Sequence, residues 1–189
     1  MKQFVALLAL AGLTSLASAQ TAEQLRADGT KAGNTDNVLT YGMGYHQGRY
    51  SPLGQINPSN IKRLVPVWNV SLENELGEQA QPVIFEGVMY VSNARWTYAI
   101  DAASGKMIWR TAVKFDPDTP RVVCCGNSNK GVAIFEGKVF RGTLDAHVIA
   151  LDQKTGKEVW RQKVAEWREG YSMTVAPQIA NGVVITGCS

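Results

Sequence analysis

The most specific chemistry in this sequence of 189 residues belongs to an adjacent pair, Cys124-Cys125. Neighbouring cysteines form a vicinal disulfide only by straining the peptide between them. Such a bond is rigid and would suit a flat platform under a ligand. Two free thiols, two long-range disulfides and half a metal site are the alternatives. A thiol metal site lacks the usual spacing and nearby histidines. The third cysteine, Cys188, reads as a buried strand residue. His46 and His147 are the only histidines and have no clustered partners, so structural or solvated roles outweigh ligation. Asn69-Val70-Ser71 matches a glycosylation sequon, a short and weak motif. Lys62-Arg63 reads as a solvated turn.

Composition narrows what can surround the pair. The chain weighs 20.6 kDa, with net charge +3 and pI 8.8. It has no Lys/Arg block, which argues against nucleic-acid binding. Apolar residues make up 45% and charged residues 19%, which excludes a disordered chain. Eighteen glycines among many short apolar runs favour a turn-rich all-β protein.

The first residues read as a secretory signal. Lys2 gives the positive n-region, Phe4 to Leu13 the apolar stretch, and Ala17-Ser18-Ala19 the cleavage site. Cleavage after Ala19 leaves 170 residues of net charge +2, since only Lys2 among the charged residues is removed. An exported chain meets an oxidising compartment, where disulfides persist.

A repeat organises the remainder. Ala99-Ile-Asp101-Ala-Ala-Ser104-Gly105-Lys106-Met-Ile-Trp109 recurs 51 residues later as Ala150-Leu-Asp152-Gln-Lys-Thr155-Gly156-Lys157-Glu-Val-Trp160. Ile84-Phe85-Glu86-Gly87 recurs as Ile134-Phe135-Glu136-Gly137, and a third copy begins near Ala176. The first unit holds four β-favouring runs: Pro82–Phe85, Val88–Ser92, Thr97–Asp101 and Met107–Val113. Gly105 and Gly156 suit turns that need positive φ. Asp101 and Asp152 can bond the backbone of those turns, and Thr143 and Asp145 also read as turn residues. Trp109 and Trp160 are expected between neighbouring units. Four strands at this period indicate β-propeller blades, two complete and one begun.

Leu64 to Val70 is expected to add the outer strand of another blade. Between signal and blades, Thr21-Ala-Glu-Gln24 resembles a capping box opening a helix to about Ala27. Asp36 to Tyr50 reads as an ordered loop crossing the propeller, and Pro58 to Leu64 as one helical turn capped by Ser59 or Asn60. The divisions are thus 1–19, signal; 20–63, leader; and 64–189, partial propeller. Propellers close with about four to eight blades, so the chain is expected to be the N-terminal part of a longer protein or a truncated coding sequence.

The cysteine pair and repeat, with Leu39-Thr-Tyr-Gly-Met-Gly-Tyr-His-Gln-Gly-Arg-Tyr-Ser-Pro-Leu53, resemble the periplasmic pyrroloquinoline quinone (PQQ)-dependent alcohol dehydrogenases of methanol and ethanol dehydrogenase type. The tracts Phe140 to Leu151 and Gly170 to Pro177 add to the resemblance, which covers residues 36–189. It implies an eight-bladed propeller with PQQ in the central funnel. Cys124 and Cys125 would form the disulfide against one quinone face, with Thr174 and Ser189 bonding the cofactor. Lys130 stands where the family often has an arginine; it keeps the charge but loses the planar fork. Gln79, beside Glu78, stands where a glutamate usually touches PQQ, and its amide can still hydrogen-bond.

The resemblance places the metal ligands, the catalytic aspartate and the stacking tryptophan beyond Ser189, so no catalytic or metal residue is assigned within the chain. The whole enzyme would bind Ca²⁺ or a lanthanide as Lewis acid. It would oxidise a primary alcohol to an aldehyde by hydride transfer to PQQ and pass electrons to a c-type cytochrome. The fragment alone is expected to be inactive. Glu73, Glu75 and Glu78 form a mild acidic patch that could meet a basic cytochrome, though a solvated loop is the simpler reading. The competing function is a non-enzymatic exported propeller that binds proteins. An outer-membrane lipoprotein of that type would carry a cysteine after the cleavage site, where Gln20 stands, and would lack the vicinal pair. A membrane-bound PQQ sugar or polyol dehydrogenase, the third possibility, would normally carry an N-terminal membrane domain and lack the cysteine pair.

Overall fold

The computed structural model describes residues 20–30, 35–73, 77–124 and 126–189. The signal segment 1–19 and its cleavage site, Glu75 and Cys125 lie outside them. Strands β1 (Val83–Phe85), β2 (Val88–Ser92), β3 (Trp96–Asp101) and β4 (Met107–Ala112) form one antiparallel sheet in sequence order. Strands β5 (Ala133–Phe135), β6 (Lys138–Gly142), β7 (His147–Asp152) and β8 (Glu158–Lys163) repeat it. A two-stranded sheet of β9 (Gln178–Ala180) and β10 (Val183–Ile185) begins a third unit. Each expected strand of the first unit lies within one residue of the observed one.

The turns show why the repeat folds this way. Glu86-Gly87, Glu136-Gly137 and Asn181-Gly182 all have positive φ at both residues, the conformation that suits a tight hairpin with strand twist. At the same end of the sheet, in the β3–β4 turn, Asp101 Oδ1 accepts from the amide of Ser104 at 2.8 Å and from its hydroxyl at 2.6 Å. Asp152 does the same with Thr155, at 2.8 and 2.7 Å. These bonds to the charged form hold both carboxyls below their ordinary range.

Neighbouring units lock through tryptophan. Trp109 Nε1 donates to Gln153 O at 3.0 Å, and its ring lies so close to Gly156 that a Cβ there would sit 2.5 Å from Cε3. Trp68 makes the equivalent contact one unit earlier, donating to Ala102 O at 3.1 Å beside Gly105. Leu64 to Val70 is therefore not a paired strand, contrary to expectation, although Trp68 occupies the place of an outer-strand tryptophan. Val70 and Leu72 cover the second face of the first sheet, against Val91, Tyr98 and Ile100. Trp160, unlike Trp109, remains 38% exposed. It meets Phe140 of its own sheet, with ring centroids 5.9 Å apart.

One core runs from Leu25 through Val83, Tyr90 and Trp109 to Ile134, Ile149 and Ile179. The leader threads across it. Helix α1 (Ala22–Ala27) has both bonds of the expected capping box. Val38 pairs with Ile84, Asp28 accepts from Thr40, and the Tyr45 hydroxyl donates to Ile179 O, so the loop spans from the first sheet to the third unit. Burial raises the Tyr45 hydroxyl pKa. The turn before Trp68 is a 3-10 helix, Ile61–Arg63, without a side-chain cap; Asn60 Oδ1 instead accepts from Asn57 N. Among the described residues, no helix is long and apolar enough to cross a membrane.

Candidate functional site

Among the described residues, the segments just before β1, β5 and β9 line up along one edge of the fold. Gln81 N donates to Lys130 O at 3.2 Å. Lys130 N donates to Thr174 O at 2.8 Å. Ser172 and Ser189 exchange two backbone bonds, at 2.8 and 3.1 Å. The main chain thus joins three units in one row. The row joins Lys130 to Thr174 through the backbone, with Gln79 two residues before its first member and Ser189 paired to Ser172, two residues before its last.

A buried asparagine fixes the middle of this row. Asn129 is 2% exposed. Its Oδ1 accepts from the Ser92 hydroxyl at 2.6 Å and from Gly131 N at 3.1 Å. Its Nδ2 donates to Gly142 O at 3.1 Å. One side chain thereby connects the ends of β2 and β6 to the segment that carries Lys130. Beside it, Arg141 is fully buried without a carboxylate partner and is satisfied by oxygen alone. It donates to Asn93 O and Trp96 O at 2.8 Å, and to Thr97 Oγ1 and Gly142 O at 3.1 Å. Burial, aided by nearby Arg161, pulls its pKa down to about 9.

The cysteine segment is anchored separately. Helix α2 (Thr119–Val122) leads into Val123, which is buried with Ala94, Leu144 and Trp167. Ala94 and Leu144 belong to the β2–β3 and β6–β7 turns, so this small cluster bridges both blades at the residue before Cys124. Cys124 is exposed and disulfide-bonded. Its neighbour Cys125 lies outside the described residues, so the vicinal pairing remains an expectation. Cys188 is a free, half-buried thiol after β10 rather than within a strand, and burial raises its pKa.

Gln79, Lys130 and Ser189 are exposed and Thr174 is half-buried. The Ser172 hydroxyl is buried at the same row with no hydrogen-bond partner. A cation, an amide and several hydroxyls suit a planar polycarboxylate, and the orphaned hydroxyl adds a donor. PQQ carries three carboxylates beside its quinone, and the residues present fit it. The remaining candidates serve structure. His147 Nδ1 lies 3.2 Å from Asp145 Oδ2, and Asp145 also accepts from Thr143, closing the β6–β7 turn. Glu73 pairs with Arg110 at 2.5 Å, and Glu78 accepts from Asn93 at 3.2 Å. His46 is exposed. Among the described residues, no group of three or more His, Cys, Asp or Glu is placed to hold a metal ion.

Asn129, Ser172, Val123 and Trp167 escaped the sequence reading.

The model of the PQQ glucose/ethanol/alcohol dehydrogenase β-propeller domain matches residues 39–189. The quinoprotein alcohol dehydrogenase PedH of Pseudomonas putida is 46% identical over 157 residues, which are 82% of this chain and 26% of that protein. The 1-butanol dehydrogenase (cytochrome c) of Thauera butanivorans is 44% identical over 146 residues, 74% of this chain and 20% of that one. The solved quinohemoprotein alcohol dehydrogenase of Comamonas testosteroni superposes with a TM-score of 0.83 at 38% identity, covering 90% of this chain and 25% of its own. The chain spans about a quarter of the length of these relatives.

Proposed function

Since the chain belongs to the PQQ glucose/ethanol/alcohol dehydrogenase β-propeller family, we propose that it is the N-terminal portion of an exported, periplasmic enzyme oxidising a primary alcohol to its aldehyde. The observation that carries this reading is the backbone row through Gln81, Lys130 and Thr174, which sets one cation and several donors along one edge of three blades.

The roles follow from the side chains. The Lys130 ammonium pairs with a cofactor carboxylate as a point charge. Thr174 and Ser189 donate from their hydroxyls, and the Gln79 amide can donate or accept. Cys124 and Cys125, joined as a vicinal disulfide, form a flat, rigid floor that excludes water from one face of the ring. Bound PQQ supplies the two-electron acceptor for the hydride of the alcohol carbon. In the whole protein, residues outside this chain would hold Ca²⁺ or a lanthanide as Lewis acid and supply the base. A c-type cytochrome then takes the electrons, a partner that the name of the Thauera relative supports.

The test is a PQQ titration of the purified, oxidised chain followed by tryptophan fluorescence. Saturable quenching is expected, and Lys130→Ala should weaken it about tenfold, the loss of one charge-assisted bond. The chain alone should reduce no dye with a primary alcohol. Quenching that never saturates, or that ignores Lys130→Ala, refutes the assignment.

A further inference from the structure

The reading of export with cleavage after Ala19 has a chemical consequence at the next residue. Gln20 would then carry the α-amine of the mature chain. It stands immediately before Thr21, the cap of α1, and Leu25 is the fourth helical residue. An apolar residue at the first of these places commonly packs against the one at the second and fixes how the chain enters the helix. Leu25 obeys that pattern, at 1% exposed. Its counterpart does not. Gln20 is also 1% exposed, and its side-chain Oε1 and Nε2 both lack a hydrogen-bond partner. Buried amide atoms left unmet are costly. A free ammonium there would add a cation beside the first N–H groups of α1, whose partial charge has the same sign.

We propose that Gln20 is a modification site, at which the mature N-terminus closes to pyroglutamate. The α-amine attacks Cδ of its own side chain and a new N–Cδ bond forms. The Cδ–Nε2 bond breaks, and the displaced nitrogen leaves as ammonia with a proton from the amine. Nothing is oxidised or reduced, and no co-reactant is consumed. The product has one N–H and one C=O where the open form had an ammonium and a primary amide. Its compact, proline-like ring suits the buried place just before the helix cap. Helix α1 in turn lies against β9, and Arg26 Nη1 reaches Asn181 Oδ1 at 3.4 Å. The ring therefore seats the helix that buttresses the third unit.

The test is mass spectrometry of the tryptic N-terminal peptide from chain recovered from the periplasm of an expressing bacterium. A synthetic open-form peptide of residues 20–26, carried through the same digestion, measures cyclisation during handling. The expected result is a peptide starting at Gln20 and lighter by one ammonia, in excess over that control. A peptide starting at Gln20 with a free amine overturns the proposal and leaves the export reading intact. A peptide starting elsewhere overturns cleavage after Ala19 and the proposal together. Hydrogen exchange supplies the structural readout. Gln20→Asn cannot close a five-membered ring, and the Leu25 amide, which bonds Thr21 O at 3.1 Å, should exchange several-fold faster in that variant. Equal protection would show that the ring does not seat the helix.

Discussion

Replacing Gly156 by alanine tests the lock between blades. Its φ is +70°, and a Cβ there would lie 2.5 Å from Trp109 Cε3 and 2.7 Å from Thr111 Oγ1. Two costs combine. An alanine in the left-handed region costs about 1–2 kcal/mol. Forcing a methyl into a packed contact costs about 1–3 kcal/mol more. Trp109 has little room to yield, because it is 9% exposed and its Nε1 is committed to Gln153 O. The expected loss is about 2–5 kcal/mol, or roughly 6–15 °C in melting temperature for a chain of this size. Gly87 is the internal control. Its φ is +75°, yet a Cβ there would meet nothing within 4 Å, so Gly87→Ala carries the backbone cost alone. Urea and thermal unfolding of both variants, followed by tryptophan emission, should separate them by the packing cost. If Gly156→Ala falls no further than Gly87→Ala, the tryptophan contact does not hold the blades together.

Other outcomes follow from the same geometry. Glu136 has a φ of 46°, where asparagine is better tolerated and where the third unit has Asn181, so Glu136→Asn should raise stability by about 0.5–1 kcal/mol in urea melts. Asn129→Ala strips bonds from Ser92, Gly131 and Gly142 O, and should cost about 2–4 kcal/mol while weakening PQQ quenching more than it shifts far-ultraviolet circular dichroism. Asp152 is held below its ordinary value of 3.8 by Thr155. A carboxyl depressed in the folded state lends stability that is complete above the unfolded value and is lost as pH falls through the folded one. Asp152→Asn should therefore flatten the acid limb of the stability profile below about pH 4, and an unchanged slope would refute that role.

The fold was legible because its signals are local. Glu86-Gly87 and the Asp101-to-Gly105 turn announce themselves within five residues, and the second copy confirms the first. What escaped was long-range. Ser92 meets Asn129 across 37 positions, and Arg141 meets Asn93 across 48. Neither pair has a periodicity to betray it. Leu64 to Val70 looked like a strand because its apolar residues suit one, but pairing depends on a neighbour that composition does not reveal. The candidate site was legible mainly by resemblance. Only the cysteine pair was unusual in itself, while Gln79, Lys130, Thr174 and Ser189 are ordinary residue types that only the resemblance singles out. Val123 and Trp167 passed as unremarkable apolar residues because their partners sit in turns of two different sheets.

The tryptophan lock also has a polarity. Each unit offers a ring on its outer strand and a glycine-floored socket in its β3–β4 turn, so ring and socket belong to different surfaces of the same repeat. A contact of that kind is heterologous, and copies joined by it would grow into an open filament unless a rotation closed the series. This chain fills its own leading socket: Trp68, carried by the leader, already occupies the place beside Gly105. The outer-strand tryptophan of a second copy would therefore find that leading seat already taken.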